Sequence, residues 1–223
     1  MRKIIMIILS VAVTYTAAAQ YEKEDGGEKK GFKKENIFTG GGLVVSFSNY
    51  TTVLGASPII GYSLTNWLDA GLSLNFVYSS NRHLTYSYYD PYTGVTQYYV
   101  SDDKLKQTVT GPGAFVRIYP VKFLFLQGQF EKNFISQKIT YANGYPTEKQ
   151  QLSAPSFLVG AGYCSGRYGK GSLFYYVSLM VDVARDKDSP YTEVLSNGRV
   201  NLLPVVRAGL QIPLFQGKGN RDF

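Results

Sequence analysis

Cysteine and histidine are nearly missing from this chain, with one of each, Cys164 and His83, in 223 residues. A lone cysteine excludes an internal disulfide framework, so packing and hydrogen bonding must hold the fold. No metal-ligand cluster, phosphate loop or nucleophile motif is present. Charge is sparse too, at 17% of residues. The formal charge of +7 includes Arg2 and Lys3, and the other basic residues are scattered along the chain. They read as a solvated rim of loops and turns; nucleic-acid binding is not indicated. Beyond the N-terminus there is no stretch of 18 apolar residues, which excludes an α-helical membrane protein.

Other features are present in excess. Aromatics make up 15% of the chain, and there are 19 tyrosines. At the two interfaces of a membrane barrel such an excess has a place. The chain begins with Arg2 and Lys3, a short apolar run from Ile4 to Val13, and Ala17-Ala18-Ala19 before Gln20. This is the pattern of a secretory signal peptide over residues 1–19, too short to span a membrane as a helix. Residues 20–36 follow as a polar tail, with five acids and five lysines from Tyr21 to Asn36, expected to be disordered in the periplasm.

From residue 37 to 216 the sequence alternates. The clearest stretch is Leu68 to Ser79. Leu68, Ala70, Leu72, Leu74, Phe76 and Tyr78 alternate with Asp69, Gly71, Ser73, Asn75, Val77 and Ser79. This is the period of a strand with one apolar face. Seven further strands are expected near 38–48, 52–64, 108–119, 123–138, 153–164, 172–185 and 203–215. The second face of these strands is rich in Gly, Ser, Asn and Gln, unlike the charged outer face of a soluble sandwich. Connections near Asn66, Val121 and Tyr168 are short, and those at 82–106, 142–152 and 186–200 are long, with the short turn near Asn49 as the exception. Pro58, Pro112, Pro155 and Pro204 each begin the apolar run of an even-numbered strand and fall on its apolar face. They are expected near one rim of the bilayer. The reading is an all-β fold: a closed antiparallel up-and-down transmembrane β-barrel of eight strands, ending in a C-terminal tail, 217–223.

The last strand carries Arg207, Gly209, Ile212 and Leu214. A polar residue, then glycine, then spaced apolar residues is similar to the C-terminal assembly signal of outer-membrane barrels. Together with the strand count, the loop alternation and the glycine-rich inner face, residues 38–215 resemble the small OmpA/OmpX-like outer-membrane barrels of Gram-negative bacteria. The resemblance implies an outer-membrane location, insertion by the barrel assembly machinery, contact with outer-membrane lipid and no cofactor; a monomer is expected. It does not imply one activity, because such folds host anchors, adhesins, small pores and lipid-modifying enzymes.

Three sets of residues are candidates for function. Asp69, Arg117, Glu131, Asp182 and Arg207 fall on the inner face and are expected to form one internal salt-bridge network, a polar plug. Tyr86, Tyr88, Tyr89, Tyr92, Tyr98 and Tyr99 lie in the long 82–106 hairpin, where they suit an interfacial aromatic belt or a surface for an extracellular ligand. His83, with Asp102 or Asp103 and a nearby serine (Ser79, Ser80 or Ser87), is the one place for an outer-leaflet lipid deacylase or acyltransferase. A lone His near serines is not specific, and the preferred reading is not an enzyme. A structural or surface-interaction role is expected first; a narrow pore for small solutes is the alternative from a third class.

Overall fold

The structure is a computed structural model that describes residues 32–170, 172–195 and 198–215. The expected signal peptide, residues 20–31 of the polar tail and the C-terminal tail 217–223 lie outside the described residues. At its end the tail is not featureless: Lys34–Asn36 form a 3-10 turn, and Asn36 is buried.

Eight long strands follow, with no α-helix among the described residues. They are β1 (Ile37–Phe47), β2 (Thr51–Ser63), β3 (Leu68–Tyr89), β4 (Thr96–Val121), β5 (Leu124–Thr140), β6 (Glu148–Cys164), β7 (Phe174–Asp182) and, last in the chain, β10 (Val205–Pro213). Between β7 and β10 a small two-stranded hairpin forms from β8 (Thr192–Val194) and β9 (Val200–Leu202). Each long strand pairs antiparallel with its neighbour in the chain, and β1 pairs with β10, so the hydrogen bonds run in a ring. The seam is tight. A Cβ on Gly40 or Gly42 would collide with the carbonyl oxygens of Leu210 and Ala208, and one on Gly209 with that of Gly41. Glycine is required there because the two backbones approach too closely for a side chain.

Alternation sets the two faces. In β5, Phe125, Gln127, Gln129, Glu131, Asn133 and Ile135 are buried, while Leu124, Leu126, Phe130 and Phe134 are exposed. The same period runs through β4, β6 and β7. Inside, Phe115 and Phe125 occupy room left by Gly71 and Gly162, whose Cβ atoms would meet those rings. A cluster of Tyr119, Phe125, Cys164, Phe174 and Tyr176 fills the interior at the end of the short turns.

One sequence expectation is met here and two others are not. First, the flanks of the 82–106 hairpin are strand extensions, as its turn signal at 90–94 implies: β3 and β4 run through most of the region and leave only a short turn at its tip. Second, β7 ends at Asp182, and the stretch read as a polar loop folds back on the ring interior, where Tyr191 and Ser189 bond to strand residues. Third, Pro204 precedes β10, whereas Pro58, Pro112 and Pro155 are exposed within strands. Pro112 and Pro155 flank Lys132, and the β4–β5 ladder skips Gly111 and Pro112, where the proline has no N–H to donate.

Candidate functional site

The interior near the short turns is built around two arginines. Arg117, 2% exposed, donates from Nε to Gln127 Oε1 at 2.8 Å and from Nη1 to Gln211 Oε1 at 3.3 Å. Its guanidinium lies 4.3 Å from the Tyr176 ring centroid, 4.9 Å from Phe115 and 5.2 Å from Phe125. Weak guanidinium hydration makes such aromatic enclosure tolerable. Arg167 comes from the β6–β7 turn. It pairs with Asp69, donates to the carbonyls of Thr65 and Asn66 at 2.8 Å each, and stacks 4.4 Å from the Tyr119 ring. One turn is thereby clamped onto another across the ring.

From Arg117 a polar ladder climbs β5. Gln127 donates to Gln129 at 2.6 Å, and Gln129 donates to Glu131 at 2.7 Å and to Ser73 at 2.8 Å. Glu131, fully buried, pairs with Arg207 of β10 at 2.7 Å. Tyr191 completes this end. Its hydroxyl donates to Glu131 at 2.6 Å and accepts from Asn75 at 2.7 Å. Asp182 stands apart. It accepts from Ser189 Oγ at 2.6 Å and from the backbone N–H of Phe157 and Ala184 at 2.9 and 3.0 Å.

The five expected charges are therefore all inside, but they do not form one salt-bridge network. Glu131 and Arg207 pair; Asp69 pairs with Arg167 although its register partner is Arg117; Arg117 makes no ion pair among the described residues; Asp182 is held by hydroxyl and backbone donors. Strand positions fix these distances. Arg117 and Glu131 are separated by the two glutamines, and the β6–β7 connection carries Arg167 to Asp69. Sequence reading missed Arg167, Tyr191, Ser189 and the glutamines as partners. Parity did place Gln127 and Gln129 inside; nothing in a turn or loop sequence announces that it folds back.

The outer hairpin has its own geometry. The register shifts between Arg82 and Leu84, so that Asp102 and Asp103 of β4 oppose His83 alone. His83 sits at φ 59, an uncommon left-handed conformation for a non-glycine residue. Beyond it, the more buried positions of β3 change from odd to even numbers. His83 Nδ1 lies 2.7 Å from Asp102, and its ring meets Tyr50 edge-on at 4.5 Å. His83 and Asp102 line an open cleft of about 500 Å³ with Arg82, Lys104, Thr140, Tyr141 and Ala142. An imidazole oriented by a carboxylate at Nδ1 presents Nε2 as a base. No serine lines the cleft, and the register puts Ser79, Ser80 and Ser87 opposite Gln107, Lys106 and Tyr98.

After the shift Tyr86 turns to the inner side and stacks on Tyr99 at 5.5 Å. Its hydroxyl donates to Asp103 at 2.9 Å, and Asp103 also accepts the Ala142 N–H at 2.8 Å. That backbone bond holds the Asp103 carboxyl below its ordinary range. Partial burial, then the carboxylate, pushes Tyr86 up to about 12. Tyr88, Tyr89, Tyr92 and Tyr98 are exposed, and Tyr92 stands at the tip, where Asp90 caps the turn by accepting from the Tyr92 N–H and the Thr93 hydroxyl. Ile212 and Leu214 of the C-terminal motif are exposed, Arg207 is inside and Gly209 is at the seam.

No protein-family model matches the chain, and no curated protein matches it.

Proposed function

We propose that the ring is a closed outer-membrane β-barrel with a filled interior, serving as a structural and surface-interacting protein through its β3–β4 hairpin. One observation carries this: polarity is inverted. Arg117, Asp69, Glu131 and Asp182 are among the most buried residues, while Leu72 is 62% and Leu179 57% exposed. Water-soluble monomers rarely expose contiguous apolar surface beyond a few hundred Å². Lipid removes that cost, and it requires every backbone group to be paired, which a ring does. A crossing needs about 9–11 residues, whereas β3 and β4 run to 22 and 26. Their surplus carries the tyrosine-bearing hairpin well past the apolar band.

Membrane fractionation with gel migration tests the architecture. The chain is expected in the outer-membrane fraction, with unboiled and boiled samples migrating differently. A soluble chain with no such shift contradicts the proposal. Deleting residues 86–99 is expected to leave a folded barrel and abolish binding to surfaces; unchanged binding removes the hairpin role. The packed interior supports an absence of conductance in planar bilayers, and steady single-channel currents would favour the pore instead.

The His83–Asp102 pair favours a second reading, hydrolysis or acyl transfer at outer-leaflet lipids. Activity of the purified protein on phospholipid or lipid A, lost in His83→Ala, would support it; an inactive wild type would remove it.

A further inference from the structure

The lysines that look scattered in sequence are brought together by register. Lys106 of β4 pairs with Lys138 of β5, which pairs with Lys149 of β6, so three lysines stand side by side across three strands. Two residues further along β4, Arg82, Lys104 and Thr140 form the next row. All five basic residues are exposed, and alternation puts Lys104, Lys106, Lys138 and Lys149 on the outward face. Strand spacing of about 4.8 Å puts the three lysines within about 10 Å along the row. Like charges directly opposite one another destabilise a sheet. Among the described residues none of the five makes a salt bridge, and Asp102, the carboxylate beside Lys104, is engaged by His83.

The same face, followed toward the short turns, passes a row of Thr108, Ser136 and Gln151 and then reaches Phe134, Phe130, Phe157 and Leu126, a mainly apolar stretch interrupted by Lys132 between Pro112 and Pro155. The basic rows thus sit just beyond the apolar band and point sideways, where an aqueous partner is not the neighbour but a lipid headgroup is. We propose that Lys106, Lys138 and Lys149, with Arg82 and Lys104, bind the phosphate groups of outer-leaflet lipids. Lysine serves as a mobile point charge for phosphate, and its stem lies along apolar surface. This inference rests on the membrane reading above.

The full chain is inserted into phosphatidylcholine bilayers with and without phosphatidic acid, and retained lipid and thermal midpoint are measured. The wild type is expected to retain phosphatidic acid roughly tenfold over phosphatidylcholine, with a preference that falls as salt rises. The K106Q/K138Q/K149Q variant is expected to lose the preference, and K106R/K138R/K149R to keep it. Relief of repulsion should leave the Gln variant at least as stable as wild type in pure phosphatidylcholine. Insertion without lipid preference, or an unchanged preference in the Gln variant, overturns this inference alone. Failure to insert in either bilayer overturns the membrane reading with it. Full competition by millimolar inorganic phosphate would make the ligand a free anion and overturn the lipid assignment.

Discussion

At the short-turn end of the interior, two arginines and one carboxylate are enclosed by aromatic rings, glutamines and turn carbonyls. At the long-loop end, two carboxylates and one arginine are enclosed by hydroxyls and by a returning loop. The first set draws its partners from strands and tight turns, with Asp69 Oδ1 and Gln211 Nε2 left without a hydrogen bond among the described residues; the second depends on Tyr191 and Ser189, which the loop must deliver. Three acids and three arginines balance over the whole interior, but each end finds its partners locally, with the glutamine ladder between them. Charge balance inside a ring of strands thus does not require a single network.

The largest effects should come from orphaning a buried charge. Arg167→Ala and Glu131→Ala are each expected to cost about 3–5 kcal/mol in urea unfolding from lipid vesicles. Adding Asp69→Asn should recover part of the first loss, and Arg207→Met part of the second. Glu131→Ala and Arg167→Ala should be additive within about 0.5 kcal/mol. Strong coupling between them would restore the single network.

Tyr191→Phe separates the ends further. Removing a hydroxyl that serves Glu131 and Asn75 should cost about 1–3 kcal/mol and expose the 183–204 loop to hydrogen exchange, leaving the Arg117 region protected. Equal loss at both ends would contradict local satisfaction.

Outside the ring the Tyr86–Asp103–Ala142 clamp gives a pH dependence. Tyr86 is raised from 10.0 to about 12, so its contribution is complete below pH 10 and is lost as pH rises through about 12. Asp103 lies below its ordinary 3.8, so its contribution is present above that pH and is lost as pH falls through the lower folded value. Amide exchange in the hairpin should therefore rise at both extremes. In an absorbance titration, Tyr86→Phe should remove one tyrosine from the late-ionising set. The smallest effect belongs to the tip: Tyr92→Ala, nearly fully exposed, should change stability by less than about 0.5 kcal/mol.

Much of the fold was legible because a strand with two unlike faces writes its period into the sequence. Leu68 to Tyr78 and Leu124 to Phe134 could be assigned to faces by parity alone, and the inward placement of Asp69, Arg117, Glu131, Asp182 and Arg207 came with them. Partners were not legible. Arg167 sits among glycines in a turn, and Tyr191 in a polar loop, so local pattern gave no reason to send either inside. The His83 irregularity was hidden as well, since Thr85 to Tyr89 alternate acceptably in either phase. Lys106, Lys138 and Lys149 lie on three different strands, and only register makes them neighbours.

A direct measurement is tryptophan quenching in a Trp67→Phe background, with Leu126→Trp placed on the outward face in bilayers of brominated lipid. The proposed architecture requires strong quenching by the bromines and little by aqueous iodide. Strong iodide quenching of Leu126→Trp, with no effect from brominated lipid, would contradict a lipid-facing outer surface.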